Sequence, residues 1–457
     1  MKTFCIQTLF CIFKNHYSTQ NLKKSCYSLV GLICYNQSHY ILNHFIKGFY
    51  KENRENHKKL SGILCDFLGD AFTLDGKEGG LNMEKMHEAI KKEKPVMNIL
   101  LMGAAGMGKS SLINGLFGQE VAKAGVGKSL TQHLEKYVDE EKGLILWDTK
   151  GIEAKGYGDT MEKLQKEMED SFKTLDEKRA IDVAYLCVKE TSSRVEEREE
   201  ELLNLTKEWN IPTIVIFTNT QEKAGDAFVK EAQKIINEEW GFGGFVRAYV
   251  RVNSVAYSLR GMEVPVEGLK ELVDETKKCL IEARKNKQNH FLLIQKANIQ
   301  ARKQAMIEEC KTIIHVASGA AGAAGLIPIP FSDALAIAPI QAGMIYKMND
   351  AFGMDLDKSV GASLVAGLLG VTAVAQVGRT IVNGFLKFIP VVGSVAGGAT
   401  AVIITEGIGF AYLKVLEKCF NDETGEVNLP DEVGMITSLF KENYLNLDTI
   451  KQLTQSD

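Results

Sequence analysis

Residues 98–118 read Asn-Ile-Leu-Leu-Met-Gly-Ala-Ala-Gly-Met-Gly-Lys-Ser-Ser-Leu-Ile-Asn-Gly-Leu-Phe-Gly, an apolar run that breaks into Gly, Lys and Ser and then resumes. Gly103, four residues, Gly108, Lys109 and Ser110 have the spacing of a strand, a glycine-rich loop and a helix, whose backbone N–H groups cradle phosphates. The stretch Gly103, Ala104, Ala105, Gly106, Met107, Gly108, Lys109, Ser110 and Ser111 is the expected cradle. Glycines let the backbone approach an anion without a Cβ, and the new helix presents its positive end. Lys109 can reach the β and γ phosphates, and the Ser110 hydroxyl can ligate Mg²⁺. A glycine-rich turn of no chemical consequence would need neither flank. Here an apolar strand precedes the loop, and Leu112, Ile113 and Leu116 follow it.

Around this loop, residues 96–286 alternate strand-like and helix-like stretches. Strands are expected at Val96–Met102, Ile181–Val188, Thr213–Phe217 and Ala248–Val252, and Leu134–Val138 with Gly143–Trp147 reads as a hairpin. Helices are expected at Lys109–Phe117, Met161–Leu175, Glu196–Trp209, Asp226–Glu239 and Val266–Arg284. Such alternation predicts an α/β fold, a mostly parallel sheet flanked by helices, with ligands at the carboxyl ends of the strands. Ala122-Lys-Ala-Gly-Val-Gly-Lys128-Ser129 nearly repeats the loop but lacks its first glycine and its strand, so it reads as a loop and not a second nucleotide site.

A phosphate loop alone does not separate ATP from GTP. Asp148-Thr149-Lys150-Gly151 ends a strand 45 residues after Gly103, where an aspartate can hold Mg²⁺ through water and the Gly151 N–H can meet a γ phosphate. With Ser-Leu-Ile-Asn after the loop, Thr131-Gln132 between, and Trp-Asp-Thr-x-Gly beyond, residues 96–286 resemble the Era-like branch of translation-factor-related (TRAFAC class) P-loop GTPases. The resemblance implies GTP and GDP as ligands with Mg²⁺ as cofactor. It places Ser110, Thr131 and Asp148 around the metal, and it gives Lys109, Thr131 and Gly151 the roles that respond to the γ phosphate.

The chain departs from that pattern at two places. The guanine-reading motif is usually Asn or Thr, Lys, any residue, Asp, and here Thr218-Asn219-Thr220-Gln221 stands in its place. A carboxylate accepts from both guanine N1–H and N2–H, whereas a Gln amide offers one acceptor oxygen and an unwanted NH₂. A donor left unmatched costs about 1–3 kcal/mol, so weaker guanine preference is expected. Asn253-Ser254 is the candidate for the last base contact. After Gly151, where Ras-type enzymes place a water-orienting Gln, stands Ile152, which cannot polarise water. Slow intrinsic turnover follows, with Glu153, Lys150 or a partner as substitutes and self-association or a membrane as accelerators.

Composition narrows the surroundings. A net charge of −4 gives no basic excess of the kind that marks nucleic acid as a partner. Nine cysteines without paired spacing make neither a disulfide framework nor a metal site and fit a reducing, cytoplasmic setting. Residues 1–50 carry five lysines and no Asp or Glu. They read as a signal peptide, a membrane anchor or a plain extension, and the first two lack a cleavage pattern and sufficient hydrophobicity respectively. Residues 51–95 read as an amphipathic helical lead-in.

Residues 287–457 differ again. Stretches 312–332, 359–378 and 388–405 contain no Asp, Glu, Lys or Arg and are rich in Gly and Ala. Their length suits a bilayer, and small residues suit close helix packing in lipid. Pro328, Pro330, Pro390, His315 and Gln376 argue instead for a soluble helical bundle, and both readings stand. Ile327-Pro-Ile-Pro-Phe-Ser-Asp-Ala, Pro339-Ile-Gln and Phe388-Ile-Pro-Val-Val-Gly resemble the helical domain attached to some of these GTPases and related to YcjF-type membrane proteins. The expectation is therefore a P-loop GTPase switch followed by an all-α domain that associates with a membrane, a partner or itself. The rivals are a nucleotide-binding scaffold with little hydrolysis and an ATP-using P-loop protein.

Overall fold

The computed structural model describes residues 58–69, 72–73, 80–81, 83–118, 128–129, 134–149, 162–163, 165–168, 181–220, 223–259, 262–280, 285–327, 337–354, 364, 368, 396–430 and 432–444. Its centre is a seven-stranded sheet. The strands are β1 (Met97–Met102), β2 (Lys128–Ser129), β3 (Leu134–Asp139), β4 (Leu144–Thr149), β5 (Val183–Lys189), β6 (Thr213–Thr218) and β7 (Val246–Val252), in the order β2-β3-β4-β1-β5-β6-β7. β4, β1, β5, β6 and β7 run parallel, while β3 is antiparallel to both β2 and β4. The α/β reading and the hairpin are therefore both present.

The period of two explains why the central strands read as unbroken apolar runs. Met97, Ile99 and Leu101 of β1 and Val183, Tyr185 and Cys187 of β5 enter one core, while Leu100, Met102, Ala184, Leu186 and Val188 enter the core on the opposite face. A parallel sheet covered on both sides needs apolar residues at every position. The first core is closed by α2 (Lys109–Phe117), α5 (Leu269–Cys279) and α6 (Lys285–Ile294), through Leu112, Leu116, Leu272 and Phe291. The second is closed by α3 (Glu197–Glu208) and α4 (Lys223–Lys234), through Leu202, Leu203 and Val229. A capping box between Glu196 and Glu199 starts α3, and α4 runs into a π-helical turn at Ile235–Glu239. Between β7 and α5 the chain inserts a small hairpin, β8 (Tyr257–Leu259) and β9 (Met262–Val264).

A third core belongs to helices alone. It contains α7 (Ile299–Gly325), α8 (Ala338–Ala351), α9 (Ala396–Cys419) and α10 (Val433–Tyr444). It also contains residues from before the sheet: Leu60, Leu64, Phe67 and Leu68 of the helical stretch 58–68, and Met86 and Ile90 of α1 (Met83–Glu93). Sequence-adjacent elements usually pack together, but the apolar faces of 58–68 and α1 are buried against the far end of the chain. Gly343 of α8 makes room for them, since a Cβ there would stand 2.3 Å from Leu68 Cδ2.

The Gly and Ala content of the uncharged stretches acquires a packing reason where they are described. α7 and α9 touch along their length. A Cβ on Gly322 would lie 2.6 Å from Val402 Cγ2, and one on Gly409 would lie 2.5 Å from Ile314 Cγ1. Among the described residues no helix is long and apolar enough to cross a membrane. Stretch 359–378 lies, apart from Leu364 and Leu368, outside the described residues.

Candidate functional site

The turn from β1 into α2 leaves the sheet at its carboxyl edge, and its glycines have the backbone that the motif demands. Gly103, Gly106 and Gly108 have φ of 128°, 79° and 86°, a region that side-chain-bearing residues rarely enter. Gly103 carries a second constraint: a Cβ would stand 2.6 Å from the Cys187 carbonyl oxygen on neighbouring β5. Gly108 is the N-cap of α2 and makes no side-chain capping bond. The first N–H groups of the helix are therefore left without a side-chain partner, and helix N-termini of this kind bind anions. Ala104 is buried, while Ala105, Gly106, Ser110 and Ser111 are open at the surface.

Lys109 folds back over this loop. Its Nζ donates to the carbonyl oxygens of Gly103 at 2.6 Å and Ala104 at 3.2 Å, and lies 3.5 Å from Asp148 Oδ1. Asp148 comes from β4, which pairs with β1 so that Leu101 and Asp148 stand in register. The sheet thus delivers the lysine and the carboxylate, 39 positions apart in sequence, to one spot. Beneath the loop, burial pushes the Cys187 thiol up to about 12, which keeps it protonated and unreactive.

The described residues expected on the base side, Thr218, Asn219 and Asn253, lie at or just after the carboxyl ends of neighbouring strands. Thr218 ends β6, and its hydroxyl donates to the Met107 carbonyl oxygen at 2.9 Å, joining this segment to the phosphate loop. Gly108 packs on the same threonine, its Cβ position 3.4 Å from Thr218 Oγ1. Asn219 adopts φ 54°, one of three side-chain-bearing residues with positive φ among those described. Asn253 is nearly fully buried, and its amide donates to the Pro265 carbonyl oxygen at 2.6 Å. That bond uses its side chain in the chain's own loop, so the neighbouring Ser254, half-exposed, is the better placed of the pair to meet a ligand. Thr131, Gly151 and Gln221 lie outside the described residues, as do Gln132, Lys150, Ile152 and Glu153.

Two groups that no motif announces flank this edge. Glu190, fully buried after β5, accepts from Arg251 Nε at 2.6 Å and Nη2 at 2.9 Å, and Arg251 also pairs with Asp226 of α4. The paired carboxylates hold the Arg251 guanidinium above its ordinary range. Gly225 fits beside this cluster because a Cβ there would lie 2.1 Å from Glu190 Oε2. On the other side, Glu267 accepts from the Thr220 hydroxyl at 2.5 Å. Sequence reasoning misses both because ion pairs across 61 residues and hydrogen bonds across 47 leave no local pattern.

Residues 98–219 match the family described as 50S ribosome-binding GTPase. The chain is 29% identical over 110 residues to Magnetosome membrane protein 22 of Magnetospirillum gryphiswaldense, covering 24% of this chain and 56% of that protein's length. It is also 29% identical over 149 residues to the probable GTP-binding protein EngB of Aquifex aeolicus, covering 32% of this chain and 79% of that protein. Among solved structures, an Era variant from Aquifex aeolicus bound to GDP and aluminium fluoride aligns at 21% identity and a TM-score of 0.28, over 48% of this chain and 68% of that one. Residues 98–219 are accordingly a P-loop GTPase G domain, similar in sequence to EngB.

Proposed function

We propose that the chain is a GTP-binding switch with slow intrinsic hydrolysis, and that its helical core is the output. The observation that carries the reading is the convergence of the Gly103 carbonyl oxygen and Asp148 on Lys109 Nζ, at the start of a helix with no side-chain cap. Lys109 lies on loop carbonyls that a phosphate would replace as its partner, and such charge-assisted bonds are the stronger ones. The donors near it suit Mg²⁺. The Ser110 hydroxyl and the Asp148 carboxylate are hard oxygens, and no cluster of three acidic, His or Cys ligands exists among the described residues. Mg²⁺ typically takes one or two protein oxygens and completes its shell with phosphate and water. When bound, the metal would neutralise charge between the β and γ phosphates. Thr131 and Gly151 are proposed to answer the γ phosphate, with Asn219, Gln221, Asn253 and Ser254 around the base.

The name of the relative Magnetosome membrane protein 22 adds support for an output at a membrane. Exposed Val316 on α7 and Leu326 at its C-cap are compatible with such contact. The test has two stages. Competition among GTP, ATP and xanthosine triphosphate for one labelled nucleotide, with Lys109→Ala as a silent control, should favour GTP. An ATP advantage above about tenfold, roughly 1.4 kcal/mol, would sink the reading. Co-sedimentation with liposomes should then differ between a GTP analogue and GDP, and equal pelleting in both states removes the membrane output.

A further inference from the structure

The base-reading segment lacks the carboxylate that its position normally carries, yet a carboxylate is bonded to it from elsewhere. Glu267 lies 47 residues beyond Thr220 and accepts the Thr220 hydroxyl at 2.5 Å in a partly buried bond. Glu267 is an exposed residue whose backbone is held in place. Its backbone N–H donates to the Asn253 carbonyl oxygen at 3.0 Å, and its carbonyl oxygen accepts from the Asn253 N–H at 3.1 Å. The Asn253 amide spans the same loop to Pro265. Directly after it, Gly268 has φ 75° and no space for a side chain, its Cβ position falling 1.8 Å from the Arg251 carbonyl oxygen. This seats the start of α5 hard against β7. Leu269 then packs on Gly115 of α2, the helix that begins at the phosphate loop.

The segment Thr218–Thr220 consequently has two separate anchors. Thr218 is tied to the phosphate loop through Met107, and Thr220 is tied to Glu267. Between them sits Asn219 in the left-handed region, a conformation that Asn enters more readily than other side-chain-bearing residues. We propose that Glu267 is a positioning residue for nucleobase selection: by holding Thr220 it fixes the segment that meets the base, while leaving the phosphate cradle untouched. The inference rests on the nucleotide-binding reading above and adds a residue to it. It also accounts for how guanine preference can persist without an aspartate at position 221. The discriminating groups would be presented by a rigid segment instead of by one bidentate carboxylate.

The experiment compares wild-type full chain with Glu267→Ala, Glu267→Gln, Thr220→Val and the Glu267→Ala/Thr220→Val double variant. Affinities are measured for GTP, ATP and inorganic tripolyphosphate, which has no base. Glu267→Ala should lower GTP affinity about tenfold and shrink the GTP-over-ATP ratio, with tripolyphosphate affinity held within about twofold. Glu267→Gln should stay near wild type, because an amide oxygen still accepts from Thr220. Thr220→Val should mimic Glu267→Ala, and the double variant should add nothing further. A GTP-over-ATP ratio unchanged in Glu267→Ala overturns the proposal, as does an equal fall for GTP and tripolyphosphate, which would mark a purely structural loss. A wild-type protein without preference for GTP overturns the guanine reading itself, an outcome distinct from either.

Discussion

Gly103 and Gly106 both have positive φ, but only one of them faces a neighbour. A Cβ at 103 meets the Cys187 carbonyl oxygen at 2.6 Å, whereas a Cβ at 106 meets nothing within 4 Å. Gly106→Ala should therefore cost only the left-handed strain, about 1–2 kcal/mol. Gly103→Ala must also push β1 from β5, and a loss of about 3 kcal/mol or more is expected, with nucleotide binding abolished. Chemical denaturation and nucleotide titration of the two variants check this, and equal losses would refute the assignment of steric contact to Gly103 alone. The glycines, Lys109 and Asp148 are legible in the sequence because each residue type answers a local demand: a backbone angle, an anion, a cation. Glu190, Arg251 and Glu267 are illegible for the opposite reason. Their roles come from partners that only the folded sheet edge brings near.

At the scale of elements, legibility follows the same division. Strands β1, β5 and β6 and helix α2 are written as local periodicity, and the expected bounds differ from the observed ones by at most two residues. The β8–β9 hairpin is not, because three-residue strands carry too short an alternation to be seen. Helix α6 is instructive. The sequence suggests one helix from Val266 to Arg284, but α5 ends at Cys279 and α6 begins at Lys285, docked on the sheet by long-range bonds. Lys287 Nζ reaches the fully buried Asp182 carboxylate at 2.9 and 3.1 Å, and Asp182 also accepts the Asn98 N–H at 2.8 Å. His290 contacts the Gly143 carbonyl oxygen at 3.2 Å in the β3–β4 turn. Burial is the main cause that lowers the His290 pKa to about 4, with Lys94 contributing in the same direction and Asp350 and the backbone bond at Gly143 opposing it. The sign follows from proton counting. Between pH 6.5 and 4 the unfolded chain binds a proton at His290 that the folded chain refuses, so stability falls as the pH drops through that window. The loss should approach about 3 kcal/mol near pH 4 and be absent above pH 7. Urea midpoints of wild type and His290→Gln across pH 4–7.5 test it. Parallel curves would show that His290 does not titrate with folding.

The whole molecule is organised around an insertion. Its sheet is entered and left through one helical core, because 58–68 and α1 precede the sheet while α7 to α10 follow it, and all of them share one apolar interior. Polar contacts tie the same seam: Lys94 to Asp350 at 2.8 Å, and Lys347 to the Phe67 carbonyl oxygen at 3.1 Å. Under the proposed switching, a displacement of β1 or α6 would thus act on the helical core at both points where the chain passes between it and the sheet. The composition of 287–457 marks a helical region but does not show that residues before the sheet share its core, because burial of an apolar face is a non-local property. Leu60, Leu64, Phe67, Leu68, Met86 and Ile90 are six side chains that the C-terminal helices cover. At about 1.5–3 kcal/mol each, their burial contributes on the order of 10 kcal/mol, comparable to the net stability of a whole domain. A fragment of residues 285–457 should therefore fail to fold cooperatively and should bind a hydrophobic dye. A fusion that links 58–93 directly to 285–457 should recover a sharp thermal transition. If the shorter fragment melts as sharply as the fusion, the N-terminal helices are only ornamental to the core, and the two passages between sheet and helices cannot act together.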